Sequence, residues 1–251
     1  MTLSMRRDKM KKPLSAHSPN SSPKILAIEA SANQLSIAVL IDGKVVAERR
    51  HLAANGHAAG IVPLTIETLN DAGETFDVFT HVAAGCGPGS FTGIRITLAA
   101  AKGFCMAYQA VGLGFSSLQA LASAASHVEP KAKTPCLALA DTRRGTLYAQ
   151  LFDSRAQPLG NIFESHPVQL SCLIEAELSE PGIRIVGVEH LAVADALCAN
   201  GVTVALPPVA EMPSASMIAY LAAEQIKRGK TTSLKPIYLA DPLVGPQKKS
   251  D

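Results

Sequence analysis

Lys24–Arg50 reads KILAIEASANQLSIAVLIDGKVVAERR. Leu35–Ile41 and Lys44–Arg50 are strand-like runs on either side of Asp42-Gly43. That dipeptide predicts a hairpin, because both central positions of the tight turn need positive φ. Lys24–Glu29 adds a short apolar strand ahead of it. Downstream, Ile61, Leu64 or Thr65, Thr68 and Leu69 recur at helical spacing, which predicts a helix over His57–Asn70 with Pro63 near its first turn. A strand over Val78–Ala84, a long helix over Phe91–Tyr108, a strand over Val111–Gly114 and a helix over Ser116–Ser126 complete the first half.

The second half repeats this order. Cys136–Asp141 and Thr146–Phe152 read as strands around Thr142-Arg143-Arg144-Gly145, and Gln157–Phe163 as a third. A helix over Pro167–Ala176 follows, then a strand over Ile183–Val188, a helix over His190–Ala199, a strand over Val202–Leu206 and a helix over Ser214–Arg228. A duplicated βββαβα unit predicts an α/β protein of two stacked lobes, the RNase H-like plan of actin, sugar kinases and Hsp70. The charged stretch Val128–Thr134 marks the joint. It divides a first lobe, 24–130, from a second, 131–246, with tails at 1–23 and 247–251.

The 251 residues, 47% of them apolar, are ample for a sizeable core. No apolar run reaches the roughly 18 residues needed to span a bilayer. Met1–Lys24 has no apolar stretch of the signal-peptide kind. Five scattered cysteines without a C-x-x-C pair point to reduced thiols and a cytoplasmic setting, away from membranes. The formal charge of +2 hides an asymmetry: residues 1–24 hold six Lys or Arg against Asp8, so the rest of the chain carries a net −3. A mildly acidic body is a poor gripper of phosphates. The basic, Ser- and Pro-rich N-terminus is expected to be solvated.

Gly87-Pro88-Gly89-Ser90-Phe91-Thr92-Gly93 lies between a strand and a long helix. Backbone N–H groups at a helix start can hold an anion. This stretch, however, lacks the Gly-Lys-Ser/Thr ending of a P-loop, the third glycine of a dinucleotide fingerprint and the glycines of a nucleophile elbow. A tight turn capped by Ser90 or Thr92 is the favoured reading. In actin-like enzymes, acids at the first hairpin of each lobe hold a magnesium–nucleotide. Here those positions read Glu29-Ala30-Ser31-Ala32 and Asp141-Thr142-Arg143-Arg144-Gly145. The first loop has no glycine to let backbone close around a phosphate. Glu29, Ser31, Asp141 and Arg143 therefore read as degenerate nucleotide loops. His51, His57 and His81 show no metal-ligand spacing.

The helix over Phe91–Tyr108 is nearly free of large polar groups from Leu98 to Gly103, and Arg95 and Lys102 interrupt only one side. An apolar face left outside marks a partner site. The helix over His57–Asn70 offers a matching small or neutral face with Ala58, Ala59, Ile61, Thr65 and Thr68.

Five blocks are distinctive: ILAIEASANQLSIAVL (25–40), GPGSFTGIRITLAAAKGF (87–104), SSLQALA (116–122), LADTRRGTLYAQLF (139–152) and KPIYLADP (235–242). Over Lys24–Val244 they resemble the TsaB family, the dimerization subunit of bacterial tRNA threonylcarbamoyladenosine synthesis. The resemblance implies an actin-like pseudoenzyme with no catalytic residue, metal or cofactor of its own. A TsaD subunit would carry the nucleotide, the metal and the transfer chemistry, and a TsaE ATPase would join the pair. The chain would meet tRNA only through the complex. The implied interface is a four-helix contact drawing on Ile61, Leu64, Thr65, Thr68, Arg95, Leu98, Ala99, Lys102, Gly103 and Met106. The catalytic subunit's paired metal histidines lie on the first of these helices, and here His57 is followed four residues later by Ile61. Glu29-Ala30-Ser31 also departs from the family's Asp-Thr-Ser. The rival reading is an actin-fold ATPase, phosphotransferase or glycoprotease-like metallopeptidase. Whether the free chain forms a homodimer through the same helices is left open.

Overall fold

A computed structural model of the chain describes residues 22–52, 57–167, 169–170, 173–174, 182–209 and 211–239. The basic N-terminal stretch and the 247–251 tail lie outside them. So does part of the expected helix over Pro167–Ala176, whose described residues Pro167, Gln169, Leu170, Leu173 and Ile174 are helical.

The first sheet comprises β1 (Ile25–Glu29), β2 (Gln34–Ile41), β3 (Lys44–Leu52), β4 (His81–Gly85) and β5 (Val111–Phe115), in the order β3-β2-β1-β4-β5. β1 runs antiparallel to β2 and parallel to β4. The β2–β3 turn places Asp42 at φ +51° and Gly43 at φ +76°, as such a turn demands. The second sheet comprises β6 (Cys136–Asp141), β7 (Leu147–Phe152), β8 (Phe163–Ser165), β9 (Gly182–Gly187) and β10 (Thr203–Ala205), in the order β8-β7-β6-β9-β10. β6 again runs antiparallel to its successor and parallel to β9. The two sheets share one topology, so the duplicated plan holds.

Helices α1 (His57–Ala72) and α2 (Phe91–Tyr108) cover one face of the first sheet. Their Ile61, Leu69, Ile94, Leu98 and Ala101 pack with Leu26, Ile28, Leu35, Ile37 and Val82. The next helices exchange lobes. α3 (Ser117–Val128) packs Leu118, Leu121, Ala122 and Ala125 on Cys136, Ala138 and Phe152 of the second sheet. α4 (His190–Ala199) covers that sheet's other face through Val193 and Leu197. α5 (Ala215–Lys227) returns to the first sheet, setting Ala215, Ile218, Ala219 and Ala222 against Ile25, Ala27, Leu40 and Leu113. A fully buried Leu or Ile contributes about 1.5–3 kcal/mol. Leu118, Leu121 and Ile218 alone therefore approach the low end of a domain's net stability, about 5–15 kcal/mol. Each sheet thus buries one face against a helix that comes from the other half of the chain.

Two elements differ from their sequence reading. The third strand of the second half is Phe163–Ser165, not Gln157–Phe163. Asp153 Oδ1 accepts from the backbone N–H groups of Arg155 and Gln157, each at 2.8 Å, and Ala156 takes φ +57°, so 153–157 is a turn. Pro158, lacking an N–H, makes only an isolated bridge to Phe152. β4 begins at His81 because Phe76–Val78 is a 3₁₀ turn. Its Phe76 ring stacks on Tyr108 at 5.3 Å and lies 5.3 Å from Phe104, anchoring the end of α2. No described helix is long and apolar enough to cross a membrane.

Candidate functional site

The cleft between the lobes is walled by Ser31–Asn33, Pro88–Gly89, Ser117 at the start of α3, Asp141 and Arg143 of the β6–β7 turn, and Glu211–Pro213. It encloses about 90 Å³. Small-molecule pockets usually measure roughly 300–1,000 Å³.

Glu29 ends β1 and turns inward, beneath the loop. Its Oε1 accepts from the Ser31 backbone N–H at 2.6 Å and its Oε2 from the Ser117 hydroxyl at 2.9 Å. The carboxyl fits only because residue 85 is glycine: a Cβ there would sit 1.7 Å from Oε2. Burial pushes the Glu29 carboxyl above its ordinary range, and the hydrogen bonds from Ser31 and Ser117 pull partly the other way. Behind it, burial pushes the Cys86 thiol up to about 11, well away from a reactive thiolate.

The glycines of the 87–93 turn serve the same closure. Ser90 caps α2, its Oγ accepting from Gly93 N–H at 3.2 Å. The Ser90 N–H donates to Ser31 O at 2.7 Å. A Cβ on Gly89 would lie 2.3 Å from Ser31 O, and one on Gly93 1.9 Å from Ala30 O. The turn is thus closed onto the first loop and capped by Ser90, as the favoured reading had it.

On the facing wall, Asp141 Oδ1 accepts from Arg143 N–H at 2.6 Å, and Arg143 takes φ +60°. The Arg143 guanidinium reaches across to donate to Asn33 Oδ1. Arg144 turns away to Glu164 at 2.8 Å. Gln34 Nε2 donates to Pro213 O at 3.3 Å. Of the acids expected to hold a magnesium–nucleotide, Glu29 is buried and Asp141 holds its own backbone. With no glycine in the first loop, these residues do not fit that group. Among the described residues no three His, Cys, Asp or Glu side chains converge as metal ligands.

The outer surface of α1 and α2 is built the opposite way. Four residues expected there lie instead in the monomer's core: Ile61, Thr65, Thr68 and Leu98 are buried against the sheet. Leu64 is half-buried at its margin. The two threonines satisfy their hydroxyls within the helix, donating to Ile61 O and Leu64 O at 2.7 Å, so they sit in an apolar core without penalty. Arg95, Ala99, Lys102, Gly103 and Met106 do face outward. Met106 is 85% exposed, and a Cβ on Gly103 would meet nothing. Beside them stand Val62 and Ile66 of α1, 50% and 45% exposed, which the sequence reading missed. Their spacing of four, which sets both on one face of α1, was the available signal. One flank is charged and paired, with Arg49 meeting Glu67 at 2.7 Å and Asp71 at 2.5 Å. Arg49 holds the Asp71 carboxyl below its ordinary range. At the other end, the Arg95 guanidinium lies 3.7 Å over the Phe91 ring.

With this geometry in hand, the chain can be set beside known proteins. Residues 49–166 match the family described as TsaD, tRNA N6-adenosine threonylcarbamoyltransferase. The chain is 33% identical over 125 residues to the tRNA threonylcarbamoyladenosine biosynthesis protein TsaB of Escherichia coli, covering 50% of this chain and 53% of that protein. It is 28% identical over 151 residues to TsaB of Bacillus subtilis, covering 60% and 64%. The chain thus spans between about half and two thirds of the length of these curated relatives. Among solved structures, YeaZ from Pseudomonas aeruginosa matches with a TM-score of 0.71 at 22% identity, covering 86% of this chain and all of that one. An activator of 2-hydroxyisocaproyl-CoA dehydratase from Clostridium difficile, solved with bound ADPNP, matches with a TM-score of 0.52 at 10% identity. Both structural likenesses are of fold.

Proposed function

The chain belongs to the TsaB (YeaZ) family, and from that premise we propose that it is a non-catalytic docking subunit for threonylcarbamoylation of adenosine in tRNA, acting by pairing with a catalytic TsaD subunit. The observation that carries this reading is the bare helix pair. Val62, Ile66, Ala99, Gly103 and Met106 form an outward surface of apolar or small residues. Small residues let helix axes approach to about 8 Å, which suits a four-helix contact. Arg95 and Lys102 stand at its rim. The nucleotide, the metal and the chemistry are assigned to the partner subunits, among them a TsaE ATPase. tRNA is met through the complex, consistent with the net −3 of the body. A cytoplasmic setting follows from the same assignment.

The rival reading, an actin-fold ATPase or phosphotransferase, needs a cleft that opens around a nucleotide and an acid presented to it. The inward Glu29 and the small cleft speak against it, with Asp141 the one expected acid exposed on the cleft wall.

The test is to mix the chain with its TsaD subunit, follow co-elution, and titrate by calorimetry. The wild type co-elutes. Met106→Glu and Ile66→Glu lose on the order of 100-fold in affinity, because binding buries an unpaired charge. Both melt like the wild type, since both side chains are exposed in the monomer. Wild-type affinity in both variants rejects the docking reading, and ATP turnover by the isolated chain supports the rival.

A further inference from the structure

We infer that residues 231–239 form a strap that completes the docking surface and holds Tyr238 on it as an anchor for the same partner, an inference resting on the docking reading above. After α5 the chain runs without helix or strand back along β5, the edge of the first sheet. Two hydrogen bonds fasten it. Gly114 N–H donates to Thr232 Oγ1 at 3.1 Å, and Ile237 N–H donates to Cys86 O at 2.8 Å. Leu234 and Ile237 pack into the α1–α2 core.

The edge strand is shaped to receive this segment. A Cβ on Gly112 would lie 2.5 Å from the Leu234 side chain, and one on Gly114 2.4 Å from Ser233 O. The alternate glycines of β5 make the groove in which the strap lies, and the strap covers an edge that would otherwise offer unpaired backbone groups. The fastening at Ile237 fixes where the next residue goes.

That residue is Tyr238. Its ring lies 5.2 Å from Phe91, and its hydroxyl accepts from Arg95 Nε at 3.3 Å. Despite these contacts Tyr238 is 41% exposed and Leu239 39%. Arg95, Ala99, Lys102 and Met106 line one side of α2, so Tyr238 prolongs that stripe beyond the helix start. A Tyr and an Arg already locked together lose little rotamer freedom on binding. They are also residue types that concentrate binding energy in interfaces. Within KPIYLADP, Ile237 and Tyr238 reach α2 and its core, and this role accounts for the block's first half.

The test compares the full chain, Tyr238→Ala, Tyr238→Phe, a chain lacking 232–251, and Met106→Glu. Heterodimer Kd and thermal melting are read for each. Tyr238→Ala is expected to bind tenfold or more weakly with unchanged melting. Tyr238→Phe, which keeps the ring contact, stays within about threefold. The shortened chain binds at least as weakly as Tyr238→Ala and melts lower; if it fails to fold, Tyr238→Ala decides alone. Wild-type affinity in Tyr238→Ala with binding lost in Met106→Glu overturns the strap's role and leaves the docking reading standing. The converse supports the strap and moves the partner off the helix face. No change in either overturns both. Affinity lost only in step with a fall in melting makes Tyr238 structural and also overturns the inference.

Discussion

The interlobe cleft and the α1–α2 face lie on either side of one short loop, and they are finished in opposite ways. In the cleft most strong groups have an internal partner, while Asp141 and Glu211 stay exposed on its wall. Glu29 is held by Ser31 and Ser117, Ser31 O by Ser90, Asp141 by Arg143, and Asn33 by Arg143. On the helix face Val62, Ile66 and Met106 have water where a neighbour would pack. An ATPase of this fold would present donors and acids to a nucleotide in the cleft. The difference is the ground for proposing that the chain acts through the surface it leaves exposed.

The sharpest way to break the comparison is to put the same charge on the two sides of α2. Leu98→Glu, or Ile61→Glu on α1, places an unpaired carboxylate in the core and costs several kcal/mol. The isolated chain is expected to lose its cooperative melt, whereas Met106→Glu keeps it. Equal melting of Leu98→Glu and Met106→Glu would reverse the assignment of faces.

A smaller effect probes the closure of the cleft. Gly93→Ala drives a methyl group against Ala30 O and must displace backbone. Overpacking of this kind costs about 1–3 kcal/mol. A melting temperature several degrees lower is expected, and an unchanged one shows that loop and helix do not touch.

Glu29 supplies a pH signature. Its folded-state pKa is raised above the ordinary 4.5, mainly by burial. The folded state therefore holds a proton that the unfolded chain releases. The resulting stability is fully present below the unfolded pKa and is lost as pH rises through the folded one. Glu29→Gln keeps the shape without that loss. The wild type is expected to melt progressively lower relative to Glu29→Gln from acid to neutral pH. A wild type that gains on the variant as pH rises shows a carboxylate stabilised in its charged form. The smallest effect is at the rim: Lys102→Ala changes heterodimer affinity within about threefold.

Much of this was legible in the residues. Asp42-Gly43 placed the first hairpin, the spans of α2, α4 and β6 match their sequence reading, and the missing glycines at Ala30 and Ala32 already argued against a phosphate loop. The faces of α1 and α2 were not legible. Both helices carry apolar residues on two sides, and periodicity does not tell the stripe that meets a sheet from the one that meets a partner. Thr65 and Thr68 read as part of a small, neutral partner face, but both are buried, each hydroxyl satisfied by its own helix. The return of α5 to the first sheet, and of the strap to β5, depends on contacts more than a hundred residues apart, which no local pattern records. Glu29 could have been read from its pairing with Gly85 only with the two strands already aligned.

The most direct measurement is tRNA threonylcarbamoylation by the reconstituted complex with subunits below saturation, comparing Asp141→Ala in the cleft with Met106→Glu on the helix face. Losing a catalytic acid costs on the order of 10²-fold or more. A docking subunit predicts activity within a few-fold of wild type for Asp141→Ala, and for Met106→Glu a collapse that excess subunit partly restores. Collapse in Asp141→Ala with an intact heterodimer, alongside full activity in Met106→Glu, would contradict the account.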